Sequence, residues 1–301
     1  MMALLRPGRR ARPVGDRSRS SRRHVWKESG LIRVVQQVLI LLIVFVSLAP
    51  LYTAVTTSFT PQGELSGGGI IPPRNPTFEN YRVAWSDLGF QGMFSNSTIL
   101  AVAAALGTTL LGAAGAFALV RFRFKGRRVL LVAIIGAIAV PPIVIIIPLF
   151  LTMSDLGWVN TYHSAIIAEI GLLLPFAIFL LYSFMRDLPE DLFDAAALDG
   201  AGSIGQFWHV ALPLSRSALV TTAIVSGVFA WNELLVPMIL WQEGKFETLM
   251  MGLATLGPGR TGVRFVPLLM AGVTITIVPL VVLFVVGRRA LIRGLTEGAL
   301  K

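Results

Sequence analysis

Six stretches of the chain are apolar over 20 residues or more, at about 34–59, 98–120, 129–151, 163–185, 217–240 and 266–286. Each can cross about 30 Å of hydrocarbon as a helix, which takes roughly 20 residues. Backbone groups in lipid have to be satisfied within their own segment, so helices are the expected form. Strands of a membrane barrel alternate in polarity over about 10 residues, and these blocks do not alternate. The pattern predicts an all-α membrane protein with six transmembrane helices. It divides the chain into a tail (1–33), a first span (34–59), a core of five spans (98–286) and a terminal tail (287–301). Pro141, Pro142 and Pro148 in the third stretch and Pro175 in the fourth predict breaks in regular helix. Such breaks suit a translocation path and an ordinary kinked bundle equally. Gly107, Gly112 and Gly115 in the second stretch include no Gly-x-x-x-Gly pair, and are read as sites of close helix packing rather than of ligand binding.

Composition strengthens the membrane reading. The chain is 54% apolar and only 14% charged, where a soluble domain carries about 25% charge. Lys and Arg number 26 against 16 Asp and Glu, a net of +10. A basic balance points either to nucleic acid or to a membrane surface, and the positions of the charges decide between them. Ten basic residues lie in 1–33, five in 121–128, two in 186–216 and four after 286, so 21 fall on one side of the predicted spans. The alternate loops, 60–97, 152–162 and 241–265, hold five. The positive-inside rule then makes both termini cytoplasmic in a multi-pass protein of the cytoplasmic membrane. The Arg- and Ser-rich tail reads as a solvated segment beside anionic lipid headgroups rather than as a nucleic-acid arm. It is too long and arginine-dense for a cleaved signal peptide, and the first span is expected to be retained. There is no cysteine, which excludes disulfides, thiol nucleophiles and Cys-ligated metals. His24, His163 and His209 are too scattered in sequence to suggest a metal site, and none is expected.

One cytoplasmic loop departs from the basic pattern. Residues 186–216 carry two basic residues against five acids: Asp187, Glu190, Asp191, Asp194 and Asp199. Pro189 suits a first helical position, and Glu190 and Asp191 then favour the helix dipole. Leu192, Ala195, Ala196 and Ala197 continue the helix, and Gly200 is placed to end it. Ser203 and Gln206 form a capping-box pattern for a second short helix carrying Ile204, Phe207 and Trp208 and closed by Pro213. A small alanine-rich face beside aromatics suits docking by a protein partner. A helix lying on headgroups would show a basic polar face, and this one is acidic.

At these residues the chain resembles the importer permeases of the ATP-binding-cassette class. Their cytoplasmic signature is Glu-Ala-Ala, three residues, Gly, nine residues, Ile, one residue, Leu-Pro. Here Asp194, Ala195 and Ala196 are followed at the same spacing by Gly200, Val210, Leu212 and Pro213, with Asp for Glu and Val for Ile. Asn75–Tyr81 (NPTFENY), Ala230–Glu233 (AWNE) and Gly294–Lys301 (GLTEGALK) are similar to carbohydrate permeases of the maltose type. The resemblance covers 34–301. It implies a type I importer permease (MetI-like) fold, and a coupling helix seated in a cytoplasmic ATPase dimer. Asp194 would be its acidic contact, Ala195 and Ala196 its close-packing face, and Asp199 and Gly200 its turn. Val210 and Leu212 would belong to the same coupling set, and Pro213 would help pass motion into the fifth span. The implied partners are a second permease subunit, the ATPase dimer and an extracellular solute-binding protein, which the outer loop 241–265 would approach. The implied substrate is a sugar, a di- or oligosaccharide, with glycerol phosphate or a related polyol as the alternative.

The chain contains no Gly-x-x-x-x-Gly-Lys-Ser/Thr phosphate loop, and the glycine-rich GPGRTG at 257–262 lacks the lysine. It is therefore expected to be non-enzymatic and to bind no cofactor, with ATP and Mg held by the partner ATPase. Acids inside spans are costly and mark functional candidates. Glu169, Trp231, Asn232 and Glu233 together offer acceptors and an aromatic face that would suit a sugar pathway. For Asn232 and Glu233, a role in holding helices together weighs more. Two rival classes are a stand-alone ion-coupled transporter and an intramembrane enzyme. The first usually shows repeated halves, and the second needs a constellation of catalytic side chains that is not visible in the spans.

Overall fold

The computed structural model describes residues 30–64, 70–256 and 266–299, with side chains described from 32 to 288 within those ranges. The basic tail before residue 30, the GPGRTG segment and the side chains of the 294–301 motif lie outside the described residues. Among the described residues the regular structure is helical throughout.

The chain forms two units, residues 1–49 and 50–301. Helix α1 (Gly30–Ser58) begins in the first, where every side chain from 32 to 48 is exposed. Apolar side chains such as Leu41 and Phe45 can be exposed throughout such a helix only where the surroundings are themselves apolar.

The second unit is organised around α3 (Phe90–Arg121), which packs along α6 (Tyr162–Met185) and α10 (Arg216–Asn232). Helix α3 has 32 residues, or roughly 48 Å at 1.5 Å per residue, and starts eight residues before the predicted second span. Protein supports the extra turns. Phe90 is buried, the Asn96 amide donates to the Glu247 carbonyl at 2.9 Å, and Ser97 Oγ accepts from the Leu249 amide at 2.9 Å. A Cβ built on Gly112 would lie 2.8 Å from Ala177 Cβ and 3.3 Å from the Ala177 carbonyl carbon. The glycine thus sets the α3–α6 approach, as its place in the sequence suggested.

Three predicted spans are corrected. The third is two helices, α4 (Arg127–Ile138) and α5 (Pro142–Asp155), bent by 103°. Proline disfavours the helical conformation of the residue before it, and Pro141 is extended at ψ 131°. Pro148 and Pro175, by contrast, stay inside continuous helices, against the expected breaks; each removes a single hydrogen bond that its helix tolerates. The fifth span stops at Asn232, and a separate α11 (Leu235–Leu240) follows. Glu233 is extended (ψ 129°), and its carboxylate accepts from the Leu235 and Val236 amides at 2.8 and 3.2 Å, capping the new helix. The last span, α13 (Val266–Ala299), continues as one helix well past residue 286. A short α12 (Leu249–Thr255) precedes it. Four described helices are long and apolar enough to cross a membrane alone, and two bent pairs raise the number to six.

The NPTFENY segment closes the end of α1. It leads into α2 (Glu79–Arg82), where Asn80 is fully buried and donates to the carbonyls of Ser58 and Thr60, both at 2.8 Å. Tyr81 adds a 2.6 Å hydroxyl–hydroxyl bond to Ser58, and Phe78 packs edge-on against Phe59. These carbonyls have no partner within the helix, so one asparagine supplies what the terminating helix lacks.

Candidate coupling site

The acidic loop folds as a helix, a glycine turn and a second helical segment. Helix α7 (Glu190–Leu198) begins after Pro189, which sits one position earlier than expected, as the N-cap. Gly200 ends it at φ +84°, with its amide donating to the Ala197 carbonyl at 3.0 Å and the Ala201 amide to the Ala196 carbonyl at 2.9 Å. This paired arrangement is the Schellman motif, which needs a left-handed residue at the position Gly200 holds. No other atom lies within 4 Å of a Cβ built there, so backbone conformation rather than packing requires the glycine. Asp199 is the exposed C-cap.

Beyond it, α8 (Ser203–Gln206) runs through a π turn at Phe207–Ala211 into α9 (Leu212–Leu214). The predicted capping box is absent. Gly202 is the N-cap and makes no side-chain bond, while Gln206 is buried and turns elsewhere. Its Oε1 accepts from Arg121 Nε at 3.1 Å, and its amide nitrogen donates to the Ala201 carbonyl at 3.3 Å. Pro213 lies inside the last turn, and the chain bends by 79° between this segment and α10.

The motif residues divide into two groups. Val210 and Leu212 are half-buried and pack on a cluster of Phe117, Leu181, Met185, Phe193, Ala211 and Ala218. They anchor the loop to α3, α6 and α10. Ala195 is exposed and Ala196 half-buried. On α7 the buried side is Phe193, with Ala196 next to it; the opposite face is Asp191, Ala195 and Leu198 at i, i+4, i+7. Leu198 is 90% exposed and Ile204 76%, with Trp208 and Leu192 also exposed. Large apolar side chains exposed beside acidic ones are of the kind that mark a contact surface.

Arg121, at the last position of α3, braces this element. Besides Gln206, it lies 3.5 Å from the Asp194 carboxylate, whose side chain is 68% exposed, and 5.5 Å from the centre of the Phe193 ring. Counted by sequence only as a topological charge, Arg121 had no spacing rule linking it to residues 193, 194 and 206. The link exists only in three dimensions.

The four candidate pathway residues lie near the opposite end of α10. Trp231 is buried, donates its ring N–H to the Thr276 carbonyl at 3.2 Å and meets Phe94 edge-on. Asn232 is exposed and donates to the Val228 carbonyl of its own helix at 2.7 Å. Glu233 caps α11. Glu169 is 3% exposed, and its Oε2 has no hydrogen-bond partner among the described residues. Trp231 also lines a nearly apolar groove of about 270 Å³ between α3, α10 and α13.

Residues 108–297 match the family described as the binding-protein-dependent transport system inner membrane component. The chain belongs to that family. As an inner membrane transport component it is similar to several characterised permeases. It is 31% identical over 267 residues to the diacetylchitobiose uptake system permease NgcG of Streptomyces coelicolor, covering 89% of this chain and 88% of the relative. It is 33% identical to the arabinooligosaccharides transport permease AraQ of Halalkalibacterium halodurans (86% and 93% covered). It is 31% identical to the trehalose/maltose transport permease MalG of Thermococcus litoralis (91% and 99%). The fold matches a chain of a bacterial ABC transporter that imports the acidic polysaccharide alginate, with a TM-score of 0.74 at 22% identity, covering 86% of this chain and 96% of that one. The matched range contains the whole 186–216 element and Arg121. It also places this inner membrane component, with its apolar helices, as a multi-pass protein of the cytoplasmic membrane.

Proposed function

We propose that this inner membrane component is a permease subunit of an ATP-driven carbohydrate importer, and that α7 is the point at which a separate ATPase drives it. The substrate is a di- or oligosaccharide, the class named for the similar permeases. A second permease subunit completes the pathway, two ATPase subunits hold ATP and Mg, and a solute-binding protein delivers the sugar. Both termini face the ATPase side, a reading supported by the distribution of 21 basic residues against five.

The observation that carries this reading is the geometry of α7. Its outward face carries Asp191, Ala195 and Leu198, its end is a left-handed glycine turn, and Arg121 and Phe193 fix it to the spans. Small exposed side chains permit close approach of a partner, and the aromatic and leucine side chains beside them supply buried area on contact. The test is reconstitution of the complex in vesicles with solute-binding protein outside and ATP inside. Sugar uptake requires all subunits. Ala195→Glu, which places a charge on the docking face, and Gly200→Trp abolish it while the protein still inserts. Normal uptake by either variant refutes the docking role, and uptake driven by an ion gradient without ATP refutes the importer reading.

A further inference from the structure

A cavity of about 380 Å³ opens at the coupling end of the spans, between the last turns of α3 and α6 and the first turn of α7. Its floor is apolar, with Phe117, Met185 and Phe193 among its residues, and its rim carries Arg121, Arg123 and Arg186 against the single carboxylate Glu190. The arginines are not equally committed. Arg121 is held by Gln206 and Asp194, and Arg186 has a 3.6 Å contact with Asp187, in which the two side chains are 59% and 44% exposed. Arg123 is exposed and makes no hydrogen bond or ion pair among the described residues.

We propose that this cavity binds the headgroup of an anionic phospholipid. Depth selects a lipid over a soluble anion. The rim coincides with the ends of two spanning helices, and Phe122, Phe124 and Val129 beside it are exposed apolar side chains of the kind that face the acyl boundary. Chemistry selects an anionic lipid. A phosphodiester is a planar-fork target for guanidinium groups, and basic pockets between transmembrane helices at the headgroup level bind anionic lipids. A zwitterionic lipid would set its ammonium group against Arg123, which has no carboxylate partner among the described residues. The apolar floor accommodates the glycerol and the first methylenes, which a free phosphate lacks. Because Arg121 and Phe193 belong both to the cavity and to the brace of α7, a lipid seated there touches the coupling element directly. The proposal depends on the membrane location and not on which solute is carried.

The experiment uses the purified full-length chain in mild detergent, titrated with phosphatidylglycerol or phosphatidylcholine and read by native mass spectrometry. A photoactivatable phosphatidylglycerol maps the contact. The chain retains phosphatidylglycerol over phosphatidylcholine, and the photoprobe labels peptides containing 117–123 and 185–193. Each surface arginine contributes about a factor of five in affinity, so Arg123→Gln with Arg186→Gln lowers phosphatidylglycerol binding about 25-fold. Arg128→Gln, outside the cavity, leaves binding unchanged, and millimolar glycerol phosphate does not displace the lipid. Equal retention of the two lipids, labelling elsewhere, unchanged binding by the double variant, an equal loss in Arg128→Gln, or displacement by glycerol phosphate each overturns the proposal.

Discussion

Arg121→Ala tests whether the coupling element is braced or merely adjacent. The guanidinium makes three contacts of unequal weight. The bond to Gln206 Oε1 at 3.1 Å is the strongest, because Gln206 is 6% exposed and its oxygen would be left unpaired; a buried polar group orphaned in this way costs about 1–3 kcal/mol. The cation over Phe193 at 5.5 Å adds about 0.5–1 kcal/mol. The Asp194 contact at 3.5 Å involves a carboxylate 68% exposed and adds only a few tenths, about 0.5 kcal/mol at most. The total is about 2–4 kcal/mol, nearly all of it between α3 and residues 190–206. That is a local opening constant raised about 30- to 1,000-fold. Hydrogen exchange on the protein in nanodiscs reads it directly. Amides of 190–214 exchange faster by that factor, while those of α3, α6 and α10 hardly change. Arg121→Lys keeps the charge but not the planar fork, and falls between. If exchange at 190–214 were unchanged, or rose equally in the spans, Arg121 would not be the brace.

Substitutions at four further positions separate backbone from side-chain causes. Gly112→Ala places a methyl 2.8 Å from Ala177 Cβ and 3.3 Å from a backbone carbon, so α3 and α6 have to separate, whereas Gly107→Ala meets only the rotatable end of Ile170. Gly112→Ala therefore lowers stability to denaturant by about 1–3 kcal/mol and Gly107→Ala by less; the reverse order would refute the packing account. Asn80→Ala leaves the Ser58 and Thr60 carbonyls without their donors and costs about 2–3 kcal/mol locally, read as faster proteolysis between residues 59 and 89; unchanged proteolysis would remove Asn80 from that role. At Gly200, asparagine tolerates a left-handed φ and retains uptake, while valine does not; equal uptake by the two would show that conformation is not what the site selects.

The spans were legible because membrane burial demands long apolar runs, and 98–120, 163–185 and 266–286 all lie within single helices. What the runs concealed was where a helix stops while remaining apolar. The 129–151 stretch breaks at Pro141–Pro142, which was readable from proline chemistry. The 217–240 stretch breaks at Glu233 because a carboxylate caps the next two amides, and no periodicity announces that. Similar reasons divide the coupling loop. The Gly200 turn could be read because φ > 0 restricts residue choice. Ser203 and Gln206 have capping-box spacing, yet Gln206 is drawn away by Arg121, 85 positions earlier in the chain. Local pattern predicts local bonds, and fails where a tertiary partner offers a better one.

This division of labour bears on how a push at α7 would travel. Phe193 faces inward and sits near Phe117 of α3, at 6.4 Å between ring centres, and Phe207 meets the same ring at 5.3 Å. Leu181 and Met185 of α6 and Ala218 of α10 complete that buried cluster. Protein interiors at this density are hardly compressible, so inward movement of α7 cannot be absorbed among these rings. It is handed to three spanning helices together. The breaks in α10's helical path lie elsewhere, at the 79° bend around Ser215 and after Asn232. A rigid base with bends at both ends of one span is the arrangement a driven element needs, because movement at the base then alters the far end of α10. That far end is where Trp231 and Glu233 are found.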